Sequence, residues 1–148
     1  MSHLLLKDTF DNFSFIEGEI TTFNKFTISG FLQEDFFDEK PEETYSRWNK
    51  IRDFCFQIIR GKRTPLGFKI VLALPEDQIP HFLTAHGLTG YRPEEIRGLY
   101  LNFHYDGHHL QCITGTSLNT FTMDKSIERE WDQEVKNILK SRSIEGDY

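Results

Sequence analysis

A short sequence is written twice in this chain. Residues 21–28 read TTFNKFTI and residues 116–123 read TSLNTFTM, a spacing of 95 positions. Both fit Thr-(Thr/Ser)-(Phe/Leu)-Asn-x-Phe-Thr-(Ile/Met). β-Branched and aromatic residues around a central Asn suit a strand or a tight hairpin. The chain is therefore committed to sheet at two places that bracket its middle. We expect the copies to pair or to lie pseudo-symmetrically in one sheet. The shared Asn24 and Asn119 should mark turns, because Asn tolerates the left-handed backbone conformation.

The rest of the pattern can be read around those two segments. Phe13 to Leu32 is rich in Phe, Ile and Thr and predicts two strands. A turn at Asn24-Lys25 would set Phe23 opposite Phe26 and Thr21 opposite Ile28. From about Ser46 to Arg60, Trp48, Ile51, Cys55, Ile58 and Ile59 recur at spacings of three and four, which predicts a helix. Phe54 would widen its apolar stripe, Thr44 or Ser46 would cap it, and Gly61 would end it. Leu66 to Leu74 is almost continuously apolar and predicts a central strand covered on both faces. A short helix after Pro75 should be broken by Pro80 and stop at Gly87, with one more helical turn at residues 93–96.

Leu99 to Tyr105 and His108 to Gly115 flank Asp106-Gly107, a strong hairpin signal. The second copy of the repeat then adds a strand. Ile127, Trp131, Val135, Ile138 and Leu139 stripe a last helix over about Ser126 to Lys140, capped by Asp124 or Ser126 and favoured by Glu128 and Glu130. Residues 141–148 form a polar tail expected to fray. The order β-β-α-β-α-β-β-β-α defines an α+β class: an antiparallel or mixed sheet with two main helices packed on it.

At 148 residues the chain fits a single domain. A domain of this size buries roughly 70% of its unfolded surface and needs no disulfide or metal staple. Fourteen Phe against two Met predict a rigid aromatic core. Cys55 and Cys112 lie in apolar runs without CxxC spacing and read as two buried thiols of a reducing compartment. Neither a signal peptide nor an apolar run near ~20 residues is visible, so the expected location is the cytoplasm. A net charge of −6 argues against a nonspecific nucleic-acid binder and against an anionic membrane surface.

Three blocks, ITTFNKFTISG (20–30), RGKRTPLGFKIVL (60–72) and TGTSLNTFTMDKSIEREWD (114–132), jointly resemble a small bacterial family of uncharacterised proteins, a domain of unknown function. Its pattern runs ITT(F/Y)NxFTIDG, GKRTPLxFKIVL and TGTSLxTFTxDKxxExxWD. The resemblance covers nearly the whole chain and brings no catalytic residue, substrate or cofactor with it. It implies that related chains begin earlier, with a strand leading into the helix that holds Leu4, Leu5 and Leu6. Met1 would then fall inside that helix, with the first strand missing or the start misplaced.

Two constellations deserve chemical reading. A two-residue Asp106-Gly107 loop would make His104 and His109 a direct cross-strand pair, with Cβ atoms ~4.5–5.5 Å apart. Two imidazoles at that distance can share zinc, but a stable site needs further ligands, and a solvated hairpin tip explains them as well. With Asp106 or Asp124 as the acid, the pair would suit a metal-assisted hydrolase or another small-molecule enzyme.

The second constellation is a charge dipole. Residues 33–46 hold six acidic side chains against Lys40, a net of −5, and residues 47–69 hold seven basic ones against Asp53, a net of +6. Arg60, Lys62 and Arg63 are the densest basic spot. They lack phosphate-loop spacing and follow a helix rather than lead into one, so they read either as complement to the helix dipole or as an anion- or partner-binding patch. RNA binding through Lys62 and Arg63 is the weakest reading, given the acidic balance. No nucleophile motif is present, and the carboxylates of 34–43 are too clustered to act as distinct acid and base. The sequence alone thus favours a non-catalytic binding module whose partner is another protein or a second copy meeting an uncovered sheet edge.

Overall fold

The computed structural model describes residues 2–61, 63–144 and 146. Its elements are α1 (Ser2–Leu5), β1 (Ser14–Thr21), β2 (Lys25–Ser29), α2 (Trp48–Ile59), β3 (Gly67–Ala73), α3 (Ile79–Ala85), β4 (Ile96–Tyr105), β5 (Leu110–Leu118) and α4 (Ser126–Ser141). The strands form one five-stranded sheet in the order β2-β1-β3-β4-β5, so the protein is α+β. The chain divides into two compact units, Met1–Ala73 with Asn102–Ile113, and Leu74–Leu101 with Thr114–Tyr148.

In the first unit, β1 is flanked antiparallel by β2 and β3. Phe15, Ile20, Phe68, Ile70 and Leu72 are buried on one face of these strands. That face is covered by α2, whose Trp48 ring lies 5.6 Å from the Phe15 ring. The Trp48 indole N–H donates to the Leu4 carbonyl at 2.9 Å, which ties α1 to α2. A bulge between Phe15 and Glu17 bends β1. Gly30 and Ser46 cross there: the Gly30 N–H donates to the Ile16 carbonyl at 2.8 Å and the Phe15 N–H to the Ser46 carbonyl at 2.7 Å. The acidic run is pinched at its base by the Leu32 N–H donating to Thr44 and by the Phe31 and Tyr45 rings 6.0 Å apart.

In the second unit, a tight turn at Glu76–Gln78 leads into α3, and Gly87, with φ of +66°, stops it. Trp131 of α4 is fully buried. Its indole N–H donates to the Tyr100 carbonyl at 3.0 Å, and the Phe82 ring meets it edge-on at 5.7 Å.

Several expectations are corrected. The β1–β2 connection is Thr22-Phe23-Asn24, so Thr21 faces Lys25 and Ile20 faces Phe26. Phe54 is 65% exposed and lies off the buried stripe of Trp48, Cys55 and Ile59. The N-cap of α2 is Arg47, without a side-chain cap. Pro80 sits in the first turn of α3, where a missing N–H breaks no helical bond, so it does not interrupt the helix. β3 is central but not covered throughout: Lys69 is exposed and Val71 half-buried. The second repeat copy stops being strand at Leu118, which leaves one strand fewer than expected.

The copies share a sheet but do not pair, since β2 and β5 are its two edges. Neither Asn24 nor Asn119 has positive φ. Of the tail expected at 141–148, Ser141 is the last residue of α4, and the Arg142, Ser143 and Ile144 N–H groups donate to Ile138, Lys140 and Leu139. Residues 145, 147 and 148 lie outside the described residues.

Candidate functional site on the open sheet face

Alternation along each strand of the first unit sends apolar side chains to the helix-covered face and leaves the other face polar. Glu17, Glu19 and Thr21 of β1, Lys25 and Thr27 of β2, and Lys69 of β3 share that face, with Glu19 opposite both Thr27 and Lys69. His104 of β4 is exposed, as are Gln111 and Ile113 of β5. A shallow cavity of about 250 Å³ lies here, lined by Glu19, Thr21, Leu66, Gly67, Phe68, Lys69, His104, Tyr105 and Asp106. Its charges are mixed. Lys25 pairs with Glu19 at 3.1 Å, and among the described residues no ion pair engages Lys69.

The Asp106 carboxylate organises the hairpin tip at the cavity's end. Its Oδ1 accepts the His109 N–H at 2.7 Å and the His108 N–H at 2.8 Å. Those two amides hold its carboxyl below the usual carboxylate range. The Tyr105 hydroxyl donates to the Gly107 carbonyl at 2.9 Å, and its ring stacks on Phe68 at 5.3 Å. Gly107 has φ of +97°, and a Cβ there would lie 3.0 Å from the Leu66 carbonyl oxygen, so glycine suits the position twice over.

The hairpin corrects one further expectation. The Asp106 N–H donates to the His109 carbonyl at 3.3 Å, and the strands end at Tyr105 and Leu110. The turn is therefore centred on Gly107-His108, one residue later than the motif suggested. His104 then falls opposite Gln111, and His109 sits in the turn itself. The parity of the shift keeps each strand residue on its expected face. Among the described residues, no group of three or more His, Cys, Asp or Glu is placed to hold a metal ion.

Arg60 and Arg63 are exposed beyond the end of α2, where Arg60 is the C-cap, and Lys62 lies outside the described residues. Cys55 is buried in α2, and burial pushes its thiol up to about 12. Asp124 is held below the usual carboxylate range by the Tyr91 hydroxyl at 2.7 Å and by the Ser126 N–H and hydroxyl, each at 2.9 Å. It therefore braces the start of α4.

Sequence reasoning missed the cavity. Glu19, Thr21 and Lys69 carry no chemical motif, and only strand register brings them together with His104 and Asp106. It also missed His86, whose ring is gripped by two glutamates of α4, Glu130 and Glu134, each at 2.8 Å.

These features define an α+β protein with a helix-covered sheet face and, in its first unit, an open polar one. The chain belongs to the family of unknown function DUF5721, whose family model matches residues 3–147. None of the curated proteins and none of the solved structures compared with it match this chain. No helix among the described residues is long and apolar enough to cross a membrane.

Proposed function

We propose that the protein is a non-catalytic interaction module of the bacterial cytoplasm, and that the open polar face of its first unit receives a protein partner or a second copy. The observation that carries this reading is the uncovered face around Glu19, Lys69, His104 and Asp106. Pockets for drug-sized molecules run ~300–1,000 Å³ and are mostly apolar. A cavity of about 250 Å³ with two carboxylates, an ammonium and an imidazole on its rim suits a side chain presented by a larger surface better than a whole small molecule. Rim charges of both signs favour selectivity and encounter rate over raw affinity. The buried, unreactive setting of Cys55 also fits a binding role better than thiol chemistry.

The test is capture from a lysate of the source organism on immobilised wild type and on a Lys69→Glu/His104→Glu variant, with light scattering of both proteins. The reading predicts specific proteins, or a dimer, present with wild type and lost with the folded variant. Identical behaviour of the two, or a monomer that captures nothing, rejects it.

A further inference from the structure

The second unit contains a charge arrangement that nothing in the sheet requires. His86 is the residue that ends α3, and its side chain is only 13% exposed. Its Nδ1 lies 2.8 Å from Glu130 Oε2 and its Nε2 lies 2.8 Å from Glu134 Oε2. Glu130 and Glu134 are one turn apart on α4, so they project from one face and bracket the ring. The Phe82 ring lies 4.8 Å from the imidazole, and the Trp131 ring of α4 meets Phe82 edge-on at 5.7 Å.

The chemistry of this contact depends on a single proton. An ionised carboxylate only accepts hydrogen bonds, whereas a neutral imidazole has one N–H and one lone pair. With the ring neutral, one of the two carboxylates must face that lone pair. With the ring doubly protonated, both contacts become charge-assisted N–H···O bonds. The cation also sits at a helix C-terminus, where the backbone carbonyls favour positive charge.

Besides Glu130 and Glu134, the turns packed on α3 carry Glu76, Asp77, Glu94 and Glu95. Glu95 is bound to Arg92 at 3.3 Å, and on α4 Lys136 is bound to Asp132 at 3.2 Å.

We propose that His86, Glu130 and Glu134 form a proton-operated latch, which fastens the end of α3 to α4 when the imidazole carries two protons and loosens it when one leaves to solvent. Burial alone would lower the proton affinity of His86. The hydrogen bonds and charges of Glu130 and Glu134 outweigh that and raise it above the ordinary value of 6.5. For a group raised on folding, the stabilisation is fully present below its unfolded value and is lost as pH rises through the folded one. The latch is therefore closed in acid and opens as pH rises through a midpoint above 6.5.

The experiment is imidazole ¹⁵N NMR titration of the full chain, with His86 assigned by its loss in His86→Gln, alongside hydrogen exchange of α3 and α4 across the same pH range. The latch predicts a midpoint above 6.5, with both His86 nitrogens protonated in more than half of the molecules at pH 6.5. It predicts a downward shift of about half a pH unit or more, about threefold in proton affinity, in Glu130→Gln or Glu134→Gln. After correction for intrinsic rates, exchange in α3 should rise through the wild-type midpoint and stay flat with pH in His86→Gln. If that variant does not fold, the glutamine variants must show the exchange midpoint moving down with the His86 midpoint. A neutral His86 at pH 6.5, or an exchange profile that ignores the His86 midpoint, overturns the proposal.

Discussion

At the scale of single residues, Gly30 is the least replaceable position outside the aromatic core. A Cβ built there would lie 1.8 Å from the Phe15 carbonyl oxygen, which is backbone and cannot swing aside. Gly30→Ala should destabilise by about 1–3 kcal/mol or more, read from urea midpoints against wild type. Trp48 is fully buried and its indole satisfies the Leu4 carbonyl. Trp48→Phe should cost about 1–3 kcal/mol, because it leaves that carbonyl without its donor, and Trp48→Ala about 3–5 kcal/mol. In a Cys112→Ser background, Cys55 should resist iodoacetamide at pH 8 until the protein is unfolded, since burial keeps it a thiol. Labelling at the rate of a small-molecule thiol would contradict that burial. The sequence marks Trp48 and Cys55 as core by their helical spacing. It cannot mark Gly30, whose necessity comes from a crossing with a bulge half a hairpin away.

At the scale of elements, much of the secondary structure follows from local pattern. The stripe of Ile127, Trp131 and Val135 places α4, and the apolar run of residues 66–74 places β3. Turn detail does not follow, because it is decided by which side chain reaches a backbone amide. Asp106-Gly107 suggests a two-residue loop, yet the Asp106 carboxylate takes the His108 and His109 amides and moves the turn one residue on.

Asp106→Ala should therefore speed hydrogen exchange at His108 and His109 while the amides of β3 stay protected. In the wild type, a carboxyl held below its ordinary 3.8 keeps its contribution above that value and loses it as pH falls through the lowered one. The two amides should accordingly remain protected in mild acid. Asn119 gives the same lesson. Its side chain accepts from Arg97 Nε at 3.1 Å and donates to the Glu94 carbonyl at 2.9 Å, and both partners come from the start of β4 and the turn before it. The repeated Asn is thus a bracket in one copy and part of an exposed loop in the other.

At the scale of the molecule, the doubled segment ends at the two edges of one sheet, and the first copy reaches the candidate face through Thr21, Lys25 and Thr27. The candidate site emerges only when register assembles Glu19, Thr21, Lys69 and His104 from three strands, with Asp106 from the hairpin turn. No local motif encodes that assembly, which is why the sequence pattern points to His104 only through a metal pair and to Lys69 only as one charge of the basic stretch 47–69. The most direct test is lysine footprinting of the complex between this protein and its captured partner. Exposed Lys69 on the open face is compared with exposed Lys50 on α2. The account predicts that partner binding slows acetylation of Lys69 several-fold and leaves Lys50 unchanged. Protection of Lys50 with Lys69 still reactive would contradict it.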